Sequence, residues 1–241
     1  MPGALKAAAE ALTDFFYPPA CVCCSGSVEH REELLCRSCL EKVAPLGGPG
    51  HCPRCGMPVQ GTEGACTFCK GLGSGLETAL SAAWFLGPVP DLVHLLKYQG
   101  MHRLALTMAR LMARHPAADS VIGPAEILVP VPLYFWRELR RGYNQSERIA
   151  AALAGACGKR LETGALARVR NTRTQTRLSA VQRRSNVAGA FRVARPQAVQ
   201  GRSVCLIDDV MTTGATASAC AAVLKENGAG SVAAYTFARA Q

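Results

Sequence analysis

The densest set of residues able to do chemistry lies near the C-terminus, in Val204-Cys205-Leu206-Ile207-Asp208-Asp209-Val210-Met211-Thr212-Thr213-Gly214-Ala215-Thr216. An apolar strand ends there in two carboxylates, and a Thr/Gly turn then opens an alanine-rich helix. The end of a parallel strand is where α/β sheets bind ligands. Backbone N–H groups at a helix N-terminus attract phosphate, glycine lets it approach, and threonine hydroxyls add donors. Two adjacent carboxylates just upstream can accept hydrogen bonds from a sugar diol or hold a hydrated Mg2+. The pattern predicts a ribose-phosphate site. A nucleotide-hydrolysing strand also ends in acids, but it would need a P-loop. Gly158-Lys159 lacks the earlier glycine and the following Ser/Thr of one.

A second constellation is made of cysteines. Of 12 in the chain, nine lie between Cys21 and Cys69. Eight of them form four pairs of one spacing: Cys21/Cys24, Cys36/Cys39, Cys52/Cys55 and Cys66/Cys69. Two thiolates separated by two residues face one way across a tight turn, and two such turns build the tetrahedral sulfur cage that zinc prefers. The spacing predicts two structural Zn2+ ions, with Gly56 supplying backbone freedom to one knuckle. Cys23 is left as a spare thiol and His51 as a surface histidine. A redox Cys-x-x-Cys would head a helix in a βαβ unit, a pattern absent around these pairs. Without metal, some fifty residues rich in Gly, Pro and Cys could not hold a core, so the metal role reads as structural.

The elements that must position these groups follow from periodicity. Leu5, Ala8, Leu12 and Phe16 recur at helical spacing, which predicts a short amphipathic helix within residues 1–20. The double ribbon follows over 21–75, with Gly71-Leu72-Gly73-Ser74-Gly75 as a linker. From 76 to 241 the pattern reads strand (80–86), helices (90–99 and 102–114), strand (126–131), helix (144–156), an irregular basic segment (165–190), strand (203–208), helix (215–226) and strand (231–237). Strands alternating with helices imply a mainly parallel sheet with helices on both faces. No apolar run reaches the roughly 18–20 residues of a bilayer span. Glu10 and Asp14 interrupt what a signal peptide would keep apolar. A cytoplasmic protein is expected.

Charge is uneven. The 27 Lys+Arg against 17 Asp+Glu leave +10. Residues 137–195 alone hold 14 basic and 3 acidic groups, while residues 1–75 hold 6 and 7. Two zinc–tetrathiolate centres would take the ribbon end further negative. Tyr134, Phe135, Trp136 and Tyr143 adjoin the basic window, and aromatics beside arginines are what single-stranded nucleic acid stacks on. Arg173, Arg177 and Arg183 are expected phosphate contacts for single-stranded DNA.

Taken together, these residues resemble the competence protein ComF family, a double zinc ribbon followed by a type I phosphoribosyltransferase domain. Supporting blocks stand in order: Leu96-Lys97-Tyr98, Val129-Pro130-Val131-Pro132, Arg141-Gly142-Tyr143-Asn144-Gln145, and Thr172 through Gln175, Leu178, Arg183 and Asn186 to Ala190-Phe191. The resemblance implies that Asp208 and Asp209 hold the ribose hydroxyls of phosphoribosyl pyrophosphate and that Thr212 to Thr216 hold its 5′-phosphate. It further implies a pyrophosphate loop at Val129–Leu133 with Arg140 or Arg141 facing the phosphates, a lid over 165–190, and Mg2+ arriving with the ligand. A phosphoribosyltransferase of unknown acceptor is thereby implied, as is a role in DNA uptake during natural transformation beside DNA-translocation proteins. The competing expectation is a transferase of nucleotide metabolism or salvage with no nucleic-acid role. Gln182 and Arg177 stand where the family pattern has Glu and Gly, which bears on substrate preference.

Overall fold

The computed structural model describes residues 18–30, 32–59, 66–172 and 180–240. The helix expected around Leu5 to Phe16 lies outside them. In chain order the elements are α1 (Arg37–Glu41), a 3-10 turn (Thr67–Gly71), β1 (Thr78–Trp84), α2 (Val89–Tyr98), α3 (Leu104–Arg114) and α4 (Ala117–Val121). Next come β2 (Ile127–Pro130), α5 (Phe135–Arg141), α6 (Gln145–Cys157), β3 (Arg160–Leu161), β4 (Leu166–Arg168) and α7 (Ala180–Val187). The chain ends with β5 (Phe191–Val193), α8 (Pro196–Val199), β6 (Ser203–Met211), α9 (Ala215–Glu226) and β7 (Ser231–Arg239).

Five strands form one sheet in the order β1-β7-β6-β2-β3, every pair parallel. Alternation along the strands sorts the core into two layers. Leu80, Leu128, Cys205, Ile207, Tyr235 and Phe237 face one side, with α2, α3 and α6 over them. Ala79, Ile127, Val129, Val204, Leu206 and Ala234 face the other, under α9. After β2 the chain crosses outward to β3, whereas after β6 it crosses the opposite way to β7. The carboxyl ends of β2 and β6 therefore diverge and leave a crevice between them.

Two expectations need correction. Segment 165–190 is not wholly irregular: β4 pairs antiparallel with β5, and α7 occupies Ala180–Val187. Three-residue strands are too short to show alternation in the sequence. The glycine string is not a free linker either. Gly73 N–H donates to Ser218 Oγ at 2.9 Å, and Leu72 is buried against α9.

The ribbons share the sheet's core. Cys21, Leu35 and Cys39 pack into one layer, and Cys52, Cys55, Met57 and Leu76 into the other. The segment joining them and Arg54 of the second ribbon together seal the outer edge of β1. Leu46 N–H donates to the Ala82 carbonyl at 3.0 Å, Trp84 N–H to Ala44 at 2.9 Å, and Ala79 N–H to Arg54 at 2.7 Å. An open edge strand is a template for unwanted pairing, and here the ribbons occupy it.

Candidate functional site

The crevice between β2 and β6 opens into a cleft of about 490 Å³. One wall is the end of β6. Asp208 Oδ1 accepts from Ser146 Oγ at 2.6 Å and from the Asp209 N–H at 2.9 Å. Burial, together with the neighbouring Asp209 charge, pushes its pKa up to about 6. Asp209 is 3% exposed. Its Oδ2 pairs with Lys97 Nζ at 2.8 Å and its Oδ1 accepts from the Val210 N–H at 2.7 Å. Burial opposes the charge on Lys97, but Asp209 and Asp208 outweigh it and hold its pKa above the ordinary lysine value. The two acids are therefore unlike. Asp209 is internally neutralised, and Asp208 presents its carboxylate to the cleft.

The turn after β6 is shaped by Gly214, the N-cap of α9, at φ +76°. A Cβ there would stand 2.4 Å from Leu72 Cδ2, so any other residue would have to displace Leu72 as well as adopt the left-handed φ. Thr213 Oγ1 accepts the Ala215 N–H at 3.4 Å. Thr212 and Thr216 line the cleft, as does Val210, while Met211 and Ala215 are buried beneath the turn.

The opposite wall follows β2. Val129 and Pro130 are buried in the strand and cannot touch a ligand with their side chains. Val131, Pro132 and Leu133 reach the cleft. Asn144 holds this loop by donating from Nδ2 to the Val131 carbonyl at 3.1 Å, while its Oδ1 caps α6 by accepting the Ser146 N–H at 3.1 Å. Arg137 and Arg141 line the cleft. Arg140 lines the adjoining hollow with Lys97, Tyr98 and Gly100. Arg168 closes the far end, its Nη2 donating to Thr172 Oγ1. The arrangement sets one half-buried carboxylate and a hydroxyl-bearing turn against a cationic rim.

Sequence reasoning gave no role to Lys97, Arg137, Asn144, Ser146 or Arg168. Lys97 and Asn144 stood inside quoted motifs, but only the tertiary packing brings Lys97 to Asp209 and Asn144 to the loop after β2. Tyr143 is corrected: it is 5% exposed and its hydroxyl donates to the Leu96 carbonyl, so no base can stack on it. Phe135 and Trp136 are exposed at 63% and 62%, on a helix with no buried residue that also carries Arg137, Arg140 and Arg141. Arg173 and Arg177 lie outside the described residues, and Arg183 falls on α7.

The cysteines form two sets, Cys21/Cys24/Cys36/Cys39 and Cys52/Cys55/Cys66/Cys69, with the sulfurs of each within 4.8 Å of one another. Sulfurs about 2.3 Å from a tetrahedral zinc lie about 3.8 Å apart. Cys24–Cys36 stand at 3.6 Å, Cys52–Cys69 at 3.5 Å and Cys55–Cys66 at 3.6 Å. Both sets fit Zn2+, and neither includes Cys23 or His51. In the first knuckle of each set the residue after the second cysteine has positive φ: Gly56 at 71° and, unusually, Ser25 at 59°.

These features define an α/β protein built on a five-stranded parallel sheet, preceded by two four-cysteine zinc ribbons. The model of the double zinc ribbon domain matches residues 12–70. The DNA utilization protein YhgH of Salmonella typhimurium is 34% identical over 191 residues, covering 78% of this chain and 83% of its own. Competence protein F of Haemophilus influenzae is 29% identical over 229 residues, 93% of this chain and 99% of its own. The chain belongs to this ComF/YhgH competence family. Among solved structures, the allosteric regulatory enzyme of purine biosynthesis is 24% identical over 56% of this chain and 25% of its own, at a TM-score of 0.39. No helix among the described residues is long and apolar enough to cross a membrane.

Proposed function

We propose that this protein binds phosphoribosyl pyrophosphate with Mg2+ in the cleft between β2 and β6 and acts in DNA uptake during natural transformation. The observation that carries the reading is the half-buried Asp208 carboxylate, held by Ser146 immediately upstream of the Thr/Gly turn. A carboxylate fixed there accepts from a ribose diol, while Thr212 and Thr216 with the first turn of α9 meet the 5′-phosphate. The pyrophosphate would lie against Val131–Leu133, where Arg137 and Arg141 supply positive charge. Mg2+, when bound, neutralises the leaving pyrophosphate. In a transfer reaction an acceptor nitrogen would form its bond to ribose C1 as the C1–O bond to pyrophosphate breaks, the electron pair leaving with pyrophosphate. The fixed cations would meet the charge that develops on that leaving group.

The nucleic-acid role rests on α5, whose exposed Phe135 and Trp136 stand beside three arginines at the cleft mouth. Single strands combine such aromatic platforms with a basic track. A panel of nucleobases incubated with phosphoribosyl pyrophosphate and Mg2+, with and without single-stranded DNA, tests the reading. Ligand binding together with DNA binding is expected. Ligand turnover with a nucleobase and no DNA binding at low salt would establish the metabolic alternative instead.

A further inference from the structure

Arg239 is the last residue of β7, paired in register with Trp84 of β1 and Met211 of β6. The backbone around it is fixed: its carbonyl accepts the Phe85 N–H at 2.8 Å, and the next residue, Ala240, donates to Met211 at 2.9 Å. The residue is 3% exposed, and its Nη1 is buried without a hydrogen-bond partner. A guanidinium keeps its proton, and a buried charge is tolerated only when a counter-charge faces it. Among the described residues no carboxylate supplies one: their ion pairs are Arg37–Glu41, Lys97–Asp209, Arg160–Glu162 and Lys225–Glu77. Trp84 and Met211, its neighbours across the sheet, pack into the core layer that also takes in Cys55, Cys66 and Cys69, the thiols whose charge acts on the guanidinium. All three belong to the second four-cysteine set. With four thiolates around Zn2+ that set carries a net charge of −2.

We propose that Arg239 is the buried counter-cation of the second zinc centre, a positioning residue whose charge holds the thiolate cage against the end of the sheet that carries the phosphate turn. The cation and the cage need each other. Without zinc thiolates the guanidinium is a lone buried charge, and without the guanidinium the cage carries an uncompensated −2 into the core. Outer-sphere partners of this kind commonly change metal affinity by about 10- to 100-fold. The inference rests on the zinc ribbon and not on any ligand of the cleft.

The test is zinc release from the full-length zinc-loaded protein into excess chelator, followed by a colorimetric zinc indicator, for wild type, Arg239→Met and Arg239→Lys. If charge is the role, Arg239→Met releases one of its two zinc ions at least about tenfold faster while the other leaves at the wild-type rate. Arg239→Lys then stays close to wild type in both phases. If the side chain only fills space, the order inverts, because Met packs well and a shorter ammonium does not. Wild-type release from Arg239→Met, equal acceleration of both ions, or Arg239→Lys faster than Arg239→Met would each overturn the assignment. Should Arg239→Met not accumulate folded, Arg239→Lys decides alone: two zinc ions with wild-type release uphold it, and selective loss of one overturns it.

Discussion

Asp208 and Asp209 are adjacent, of one type, and chemically unlike. Lys97 pairs directly with Asp209, whereas the half-buried Asp208 is held by Ser146 and a backbone N–H and feels Lys97 without pairing to it. A carboxyl whose folded pKa, about 6, exceeds its ordinary 3.8 binds its proton more tightly when folded. Its contribution to stability is therefore full below about pH 4 and is lost as pH rises through 6. Asp208→Asn should stabilise the ligand-free protein at pH 7.5 by about 1–3 kcal/mol and by little at pH 4. Denaturant melts at the two pH values check this, and an Asn variant less stable at pH 7.5 would contradict it. Ser25 is a second residue-scale test, since it holds the left-handed conformation that Gly56 holds in the corresponding knuckle of the second set. Ser25→Gly should gain about 0.5–1 kcal/mol, because the left-handed region costs an ordinary residue about 1 kcal/mol or more. Thermal melts of the zinc-loaded protein would show it.

Among the elements, α9 and the strip from Gly71 to Gly75 act as one piece. Leu72 presses on Gly214, and Gly73 bonds Ser218, so the second ribbon braces the turn that opens α9. Gly214→Ala meets both a positive φ and Leu72, and should cost about 2 kcal/mol or more together with the cleft's affinity for phosphate. Pairing it with Leu72→Ala, which removes the clash but not the φ, should restore part of the loss. The long elements were legible in the sequence: α9 has the expected bounds, and β6 and β7 extend the expected strands by a few residues. Their apolar alternation and the Thr/Gly break are local signals. β3, β4 and β5, at two or three residues each, carry no such signal. Nor could periodicity show that a glycine-rich run would dock, because that depends on a helix about 145 residues away in sequence.

At the scale of the whole molecule the ribbons sit on both layers of the core and seal the β1 edge. Zinc removal should therefore lower the stability of the sheet as well as the ribbons, seen as a single shifted unfolding transition by circular dichroism. A sheet that melts unchanged after chelation would contradict this. The four-cysteine sets were legible because ligand spacing is local, whereas the clamp they form was not, since it depends on which strand lies at the edge. Charge is read at this scale too. Phe135→Ala with Trp136→Ala should weaken single-stranded DNA binding by about 1–3 kcal/mol per base that no longer stacks. Arg140→Ala should lower the salt slope by about 0.7 if one phosphate contact is lost. Titrations of a labelled oligonucleotide across salt concentrations measure both.

The most direct test of the central claim is calorimetric titration of phosphoribosyl pyrophosphate with Mg2+ into wild type and into the Asp208→Asn, Asp209→Asn double variant. One ligand per chain is predicted for the wild type, and no measurable heat for the double variant, with its fold verified by circular dichroism. Equal binding by both proteins, or none by the wild type, would contradict the account.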